Sequence, residues 1–306
     1  MPRSLAATAL PWARVPRPVE RGVEGLLFLS AFTAVFLTAG ILYVLLSNSF
    51  TFFSFPEVSI VEFLTGTVWN PDIGDTSFGV LPLVNGTLIV TFGSSLIAVP
   101  LGIATAIYLS EFANPRVRAV LKPAIELLAG IPSIVFGIFA LIVISPILQE
   151  TFGANVFNAA NAIIVLSFMI LPIITTLAED ALRAVPQELR AGALALGATK
   201  WEVTKQVVVP AALSGIVAGI LLGFSRAIGE TMAVTLAAGA RPRMGLDLFE
   251  PIQTMTAFIA QRAQGDLVQA GPPFYTLFAV GLLLFVMTFT VNLVAARVLK
   301  RFREVY

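Results

Sequence analysis

Six stretches of this chain run for 18 to 28 residues almost without charge: 24–46, 84–110, 124–148, 161–178, 211–238 and 272–296. A helix needs about 20 apolar residues to cross a hydrocarbon core of about 30 Å. Lipid offers the backbone no hydrogen-bond partner, so each such stretch is constrained to be a helix. Composition agrees: 12% of the 306 residues are charged and 57% are hydrophobic, where a soluble domain carries about 25% charged residues. The chain reads as an all-α integral membrane protein with six spans, in contact with lipid. Neither cysteine nor histidine occurs. That removes disulfides, the usual zinc and haem sites, and every nucleophile activated by histidine. With a net charge of +1 and no basic stripe, nothing points to nucleic acid.

The loops orient the spans. Residues 47–83 hold Glu57, Glu62, Asp72 and Asp75 and no lysine or arginine, while 111–123 hold Arg116, Arg118 and Lys122, and the end of the chain holds Arg297, Lys300, Arg301 and Arg303. Lysine and arginine collect on the cytoplasmic side. Both termini are therefore expected inside, and 47–83 and 239–271 outside. Arg241, Arg243 and Arg262 in the second outer loop depart from this rule. Residues 1–23, with Arg3, Arg14, Arg17 and Arg21 and with Pro11, Pro16 and Pro18 among them, read as a disordered cytoplasmic tail. The apolar run after them is too long for a signal-peptide core. The organisation expected is a tail at 1–23, a first span and outer loop at 24–77, a core of five spans at 78–298, and a tail at 299–306.

One inside segment is unusual. Residues 179–210 read "EDALRAVPQELRAGALALGATKWEVTKQVVVP". Ala, Leu, Glu, Lys and Arg favour helix, and Gly197 lets the chain turn between two short helices. This is either a folded docking surface or an amphipathic helix on the membrane. A phosphate-binding loop of the Gly-x4-Gly-Lys-Ser/Thr kind needs Lys after its second glycine. Its nearest approach here, Gly192 to Gly197, continues with Ala198 and Thr199, so ATP is not bound that way.

The same segment resembles the cytoplasmic signature of ABC-importer permeases: Glu-Ala-Ala, three residues, Gly, nine residues, Ile-x-Leu-Pro. Ala191, Gly192 and Ala193 take the first three places, Gly197 the glycine place, and Val207 to Pro210 the last four. The family glutamate is missing at Ala191. "FGVLPLVNGTL", "ELLAGIPSIVFGIFAL", "SRAIGETMAV" and "IQTMTAFIAQ" resemble phosphate-importer permeases, of the PstC type more than the PstA type. The resemblance implies a type I ABC-importer permease fold with a cytoplasmic coupling helix, in a prokaryotic plasma membrane. It implies a homologous second permease, two copies of an ATP-binding subunit, and an extracytoplasmic phosphate-binding protein. No cofactor is implied, and ATP hydrolysis belongs to the partner chain. Gly197 would allow the turn that presents Lys200 and Trp201 to the ATPase. Rival readings are a permease for sulfate or molybdate, or a secondary transporter driven by an ion gradient.

The candidate substrate path lies in "GFSRAIGETM", Gly223 to Met232. From Pro210 to Arg226 there is only about 22 Å of helix, so the span is expected to continue through Arg226 and Glu230. An arginine at bilayer depth costs roughly 2.5–3.5 kcal/mol, and such residues usually face a bundle interior or a water path. Gly215, Gly219 and Gly223 repeat every four residues, as close helix packing requires. Arg226 and Glu230 form the adjacent row. They are either a structural pair or, as the resemblance implies, functional positions; Ser225 and Thr231 flank them. Glu126 is expected to pair with Lys122 at the inner interface, and Gly130 and Pro132 to kink the third span.

Overall fold

The computed structural model describes residues 18–72, 76–265 and 271–302. Arg3, Arg14, Arg17, Asp75 and Arg303 lie outside them. Two units emerge, one ending at Ser47 and one beginning at Asn48. Helix α1 (Pro18–Phe53) supplies the described part of the first, and its helix begins inside the segment expected to be a tail.

The larger unit is built around helix α7 (Ala159–Ala184). Asn158 starts it: the Asn161 N–H donates to the Asn158 side-chain oxygen at 2.7 Å, which satisfies one of the helix's unpaired donors. Against α7 lie α3 (Leu81–Ile107), which ends in a π-helical turn at Tyr108–Phe112, and α11 (Leu213–Ile228). Small residues allow the approach. A Cβ added at Gly102 or Gly223 would fall 2.9 or 2.8 Å from Ile174 of α7, and one at Gly215 would fall 2.3 Å from Ala181. Gly219 meets Leu177 in the same way. The four-residue glycine row of α11 is thus its packing face, as its spacing requires.

Opposite ends of α3 carry separate clusters. At the Leu81 end, Phe52, Phe63, Trp69, Phe78 and Leu83 pack with Met255 and Phe258. This cluster includes α2 (Ile60–Thr65) and the antiparallel pair β1 (Trp69–Asn70) and β2 (Ser77–Phe78). Phe52, Val58, Phe63, Trp69 and Phe78 of the expected outer loop and its approach are therefore part of the core. At the other end, Ala106 packs with Leu182, Val185, Val203, Val208 and Ile216.

Two expected spans are divided. The third, 124–148, is two helices. α4 (Pro115–Ala129) ends at Gly130, and α5 (Ser133–Phe139) continues through a π-helical turn at Ala140–Ile144 into α6 (Ser145–Phe152). Pro132 precedes α5 at φ −57° and ψ 137°; it has no N–H to continue α4 and biases the residue before it away from helix. α4 places Arg118, Lys122 and Glu126 on one face, so Ser133–Phe152 is the apolar span.

The fifth, 211–238, breaks at Gly229–Thr231 between α11 and α12 (Met232–Ala238). Among the described residues, five helices are long and apolar enough to cross a membrane, and a sixth span exists if the bent pair Lys200–Ala211 and Leu213–Ile228, at 69°, is one crossing. The described part of the expected outer loop 239–271 is not all open either. Ile252 to Phe258 are buried, and α13 (Met255–Gln264) packs on α14 (Pro272–Phe302) and α3.

Candidate functional site

Arg226 is in the last turn of α11, and Glu230 follows the break after Gly229. The pair survives the break: Arg226 Nη2 is 3.6 Å from Glu230 Oε2. Their environments differ sharply, with side chains 50% and 5% exposed. The continuous helical pair expected from the sequence is thus corrected. Glu230 Oε1 accepts from the Ala233 N–H at 3.3 Å, so the carboxylate caps the new helix α12. Acid at a helix N-terminus is stabilised by unpaired N–H groups and the helix dipole. Glu230 is therefore held while the guanidinium stands half free.

Ser225 and Thr231 do not converge on one point. Ser225 Oγ donates to Asn292 Oδ1 of α14 at 2.9 Å, and Thr231 Oγ1 donates to the Gly229 carbonyl at 3.3 Å. The Glu230 carbonyl accepts from Thr256 Oγ1 at 2.7 Å. That link from residues 254–256 has no periodicity in the sequence that would reveal it.

The three arginines that break the charge rule each have a carboxylate. Arg243 lies 3.1 Å and Arg241 3.9 Å from Glu250, and Arg262 lies 2.5 Å from Asp72. Asp72 is thereby neutralised, so the acidic loop repels an anion less than its sequence suggests.

The candidates of segment 179–210 group separately. α8 (Gln187–Ala195) is followed by Gly197 at φ 86° and by α9 (Lys200–Val203). Thr199 and Glu202 form a reciprocal capping box at the start of α9. Backbone and hydroxyl hydrogen bonds from Thr199 hold the Glu202 carboxyl below the usual range. Ala191, Gly192 and Lys200 are exposed, as is Trp201 at 57%; Ala193 is half-buried. Lys200 Nζ stands 5.2 Å from the Phe112 ring centre, and the Trp201 ring centre 6.5 Å from it. Pro210 opens the short turn α10 (Val209–Ala211), which follows a π-helical turn at Thr204–Val208.

Behind this segment the sequence reading missed a hub. Glu179, 1% exposed, pairs with Arg118, with Lys122 at 2.9 Å and with Arg183 at 3.9 Å. Lys122 also reaches Asp180 at 3.2 Å, so the expected Lys122–Glu126 pair is not formed. The hydrogen bond to Glu179 raises the Lys122 pKa, against the lowering effect of burial. Arg190 pairs with Glu111 at 2.5 Å and donates to the Leu182 carbonyl at 2.7 Å. Read in order, "EDALR" looks like a solvated helix end, and only the docking of α4 on α7 reveals the buried carboxylate.

α3 and α11 against the central α7, a divided fifth span and a glycine-turned helix pair make up the larger unit. Residues 98–304 match the family described as binding-protein-dependent transport system inner membrane component. The chain is 41% identical over 233 residues to the probable ABC transporter permease protein YqgH of Bacillus subtilis, covering 76% of this chain and 75% of that one. It is 39% identical over 263 residues to the phosphate transport system permease protein PstC of Mesorhizobium japonicum, covering 78% of each. A crystal structure of a bacterial ABC transporter involved in alginate import superposes with a TM-score of 0.63 at 15% identity, covering 93% of this chain and 98% of that one; at that identity the likeness concerns the fold. The chain belongs to the binding-protein-dependent transport permease family, and its fold is that of a type I ABC-importer permease.

Proposed function

We propose that this chain is the membrane permease of an ATP-driven importer of inorganic phosphate. The observation that carries the substrate is the 39% identity to a phosphate transport permease over 78% of both chains. The half-exposed Arg226 backed by the buried Glu230 supports the same reading. In this reading 78–298 form the permease core and a homologous second permease completes the path. Two ATP-binding subunits dock on Ala191, Gly192, Ala193, Gly197, Lys200, Trp201 and Pro210. An extracytoplasmic binding protein delivers phosphate to the outer side, and both termini are cytoplasmic.

Arg226 compensates the hydration that the anion loses in a low-dielectric path. Glu230 positions it and lowers the net attraction, so the anion leaves again. Ser225 and Thr231 flank this contact. Arg226→Met alone leaves Glu230 without its cation. The double variant Arg226→Met with Glu230→Gln leaves no charge behind, and removing a buried ion pair whole is often tolerated. The double variant should assemble with its partners and fail to take up radiolabelled phosphate. Uptake near the parent rate would reduce the pair to a structural role.

A further inference from the structure

Between α12 and α13 the chain turns back into the bundle. The Ile252 N–H donates to the Ala238 carbonyl at 3.0 Å, and the Met255 N–H to Thr87 Oγ1 of α3 at 3.0 Å. Gly86 admits this segment: a Cβ there would fall 2.4 Å from the Gln253 carbonyl oxygen. Thr254 caps α13, its hydroxyl accepting from the Ala257 N–H at 3.2 Å. Thr256 Oγ1 lies 3.0 Å from Thr254 Oγ1 and donates to the Glu230 carbonyl. Both threonines are buried.

A helix break leaves backbone carbonyls without their helical donors, and a buried one must be paired elsewhere. Thr256 supplies that donor to the peptide of the residue whose carboxylate faces Arg226. The same peptide sits between two rigid elements: Ala233, capped by the Glu230 carboxylate, and α13. We infer that Thr256 is a positioning residue for the Arg226–Glu230 pair. It ties the inward-turned end of loop 239–271 to the break in the fifth span, so that a shift of α13 moves Glu230 relative to Arg226. This rests on the reading of Arg226 and Glu230 as the anion's contact.

Valine has nearly the shape of threonine without the hydroxyl, and serine keeps the hydroxyl. The chain has no cysteine, so Thr231→Cys provides a single thiol at the break. In the full chain, co-expressed with its partner subunits in membranes, Thr256→Val should change the rate of thiol modification at position 231 at least fivefold. Thr256→Ser should leave it within twofold. Without the added cysteine, Thr256→Val should lower the maximal rate of radiolabelled phosphate uptake at least tenfold with the complex intact, and Thr256→Ser should recover it to within twofold. An unchanged thiol rate in Thr256→Val would overturn the positioning role. A changed thiol rate with normal uptake would overturn its part in transport. Failure of the pathway reading itself shows separately, as uptake by the Arg226→Met/Glu230→Gln variant.

Discussion

Gly197 sits at φ 86° with open space where a Cβ would be, so its glycine is required by the backbone and not by crowding. A β-branched residue in the left-handed region costs on the order of 1–2 kcal/mol. Gly197→Val should reopen the turn between α8 and α9 while the spans still insert. The expected result is ATP hydrolysis uncoupled from uptake, or loss of the ATPase on purification; normal coupled uptake would remove the turn from the docking account. Gly215 is the opposite case. Its φ is ordinary, but the added Cβ would stand 2.3 Å from that of Ala181. Overpacking of this kind costs typically 1–3 kcal/mol, so Gly215→Val should lower the melting temperature in detergent. Both glycines were legible in the sequence, one by its place between helix-forming runs and the other by four-residue spacing. Glu179 was not, because its pairs with Arg118 and Lys122 depend on how α4 docks. Thr256 was not, because a hydroxyl reaching a carbonyl 26 residues away leaves no local pattern.

At the scale of elements, α4 shows why apolar length alone misplaces a span. Ile125, Leu127 and Leu128 extend the apolar run backwards from Pro132, yet α4 uses Arg118 and Lys122 to hold α7 through Glu179. Glu179→Gln removes the one carboxylate that Arg118, Lys122 and Arg183 share. Hydrogen bonds to charged groups contribute about 1.5–3 kcal/mol, and the quarter-exposed cations place the loss toward the lower end. Limited proteolysis should then cut within 114–130 earlier than in the parent, and unchanged cleavage would deny α4 this anchor.

The pH dependence has a definite sign. A lysine whose pKa is raised by folding contributes stability that is fully present below its ordinary value, about 10.4, and lost as pH rises through the folded value. The stability gap between parent and Lys122→Met should therefore be equal at pH 6 and pH 9 in thermal melts, closing only above that range. A gap that opened or closed between those two pH values would contradict the Lys122–Glu179 pairing. The break at Gly229–Thr231 is likewise hidden from apolar length. Hydropathy carries the fifth span through Glu230, but a glycine followed by a carboxylate able to cap the next helix starts a new element.

For the molecule as a whole, the class was written in the apolar stretches and in the spacing around Gly197, since lipid permits few alternatives to helices. The packing of the loops expected outside was less accessible. Loop 239–271 carries polar residues that read as solvated, whereas Gln253, Thr254 and Thr256 are buried and paired within the fold. In the proposed function, the permease moves phosphate at the expense of ATP hydrolysed in another chain. The most direct test is uptake of radiolabelled phosphate into proteoliposomes holding this chain with its partner permease and ATPase, supplied with the binding protein. Uptake should require ATP on the ATPase side, persist when ionophores collapse every ion gradient, and resist competition by excess sulfate or molybdate. Uptake that continues without ATP and stops with the ionophores would contradict the account.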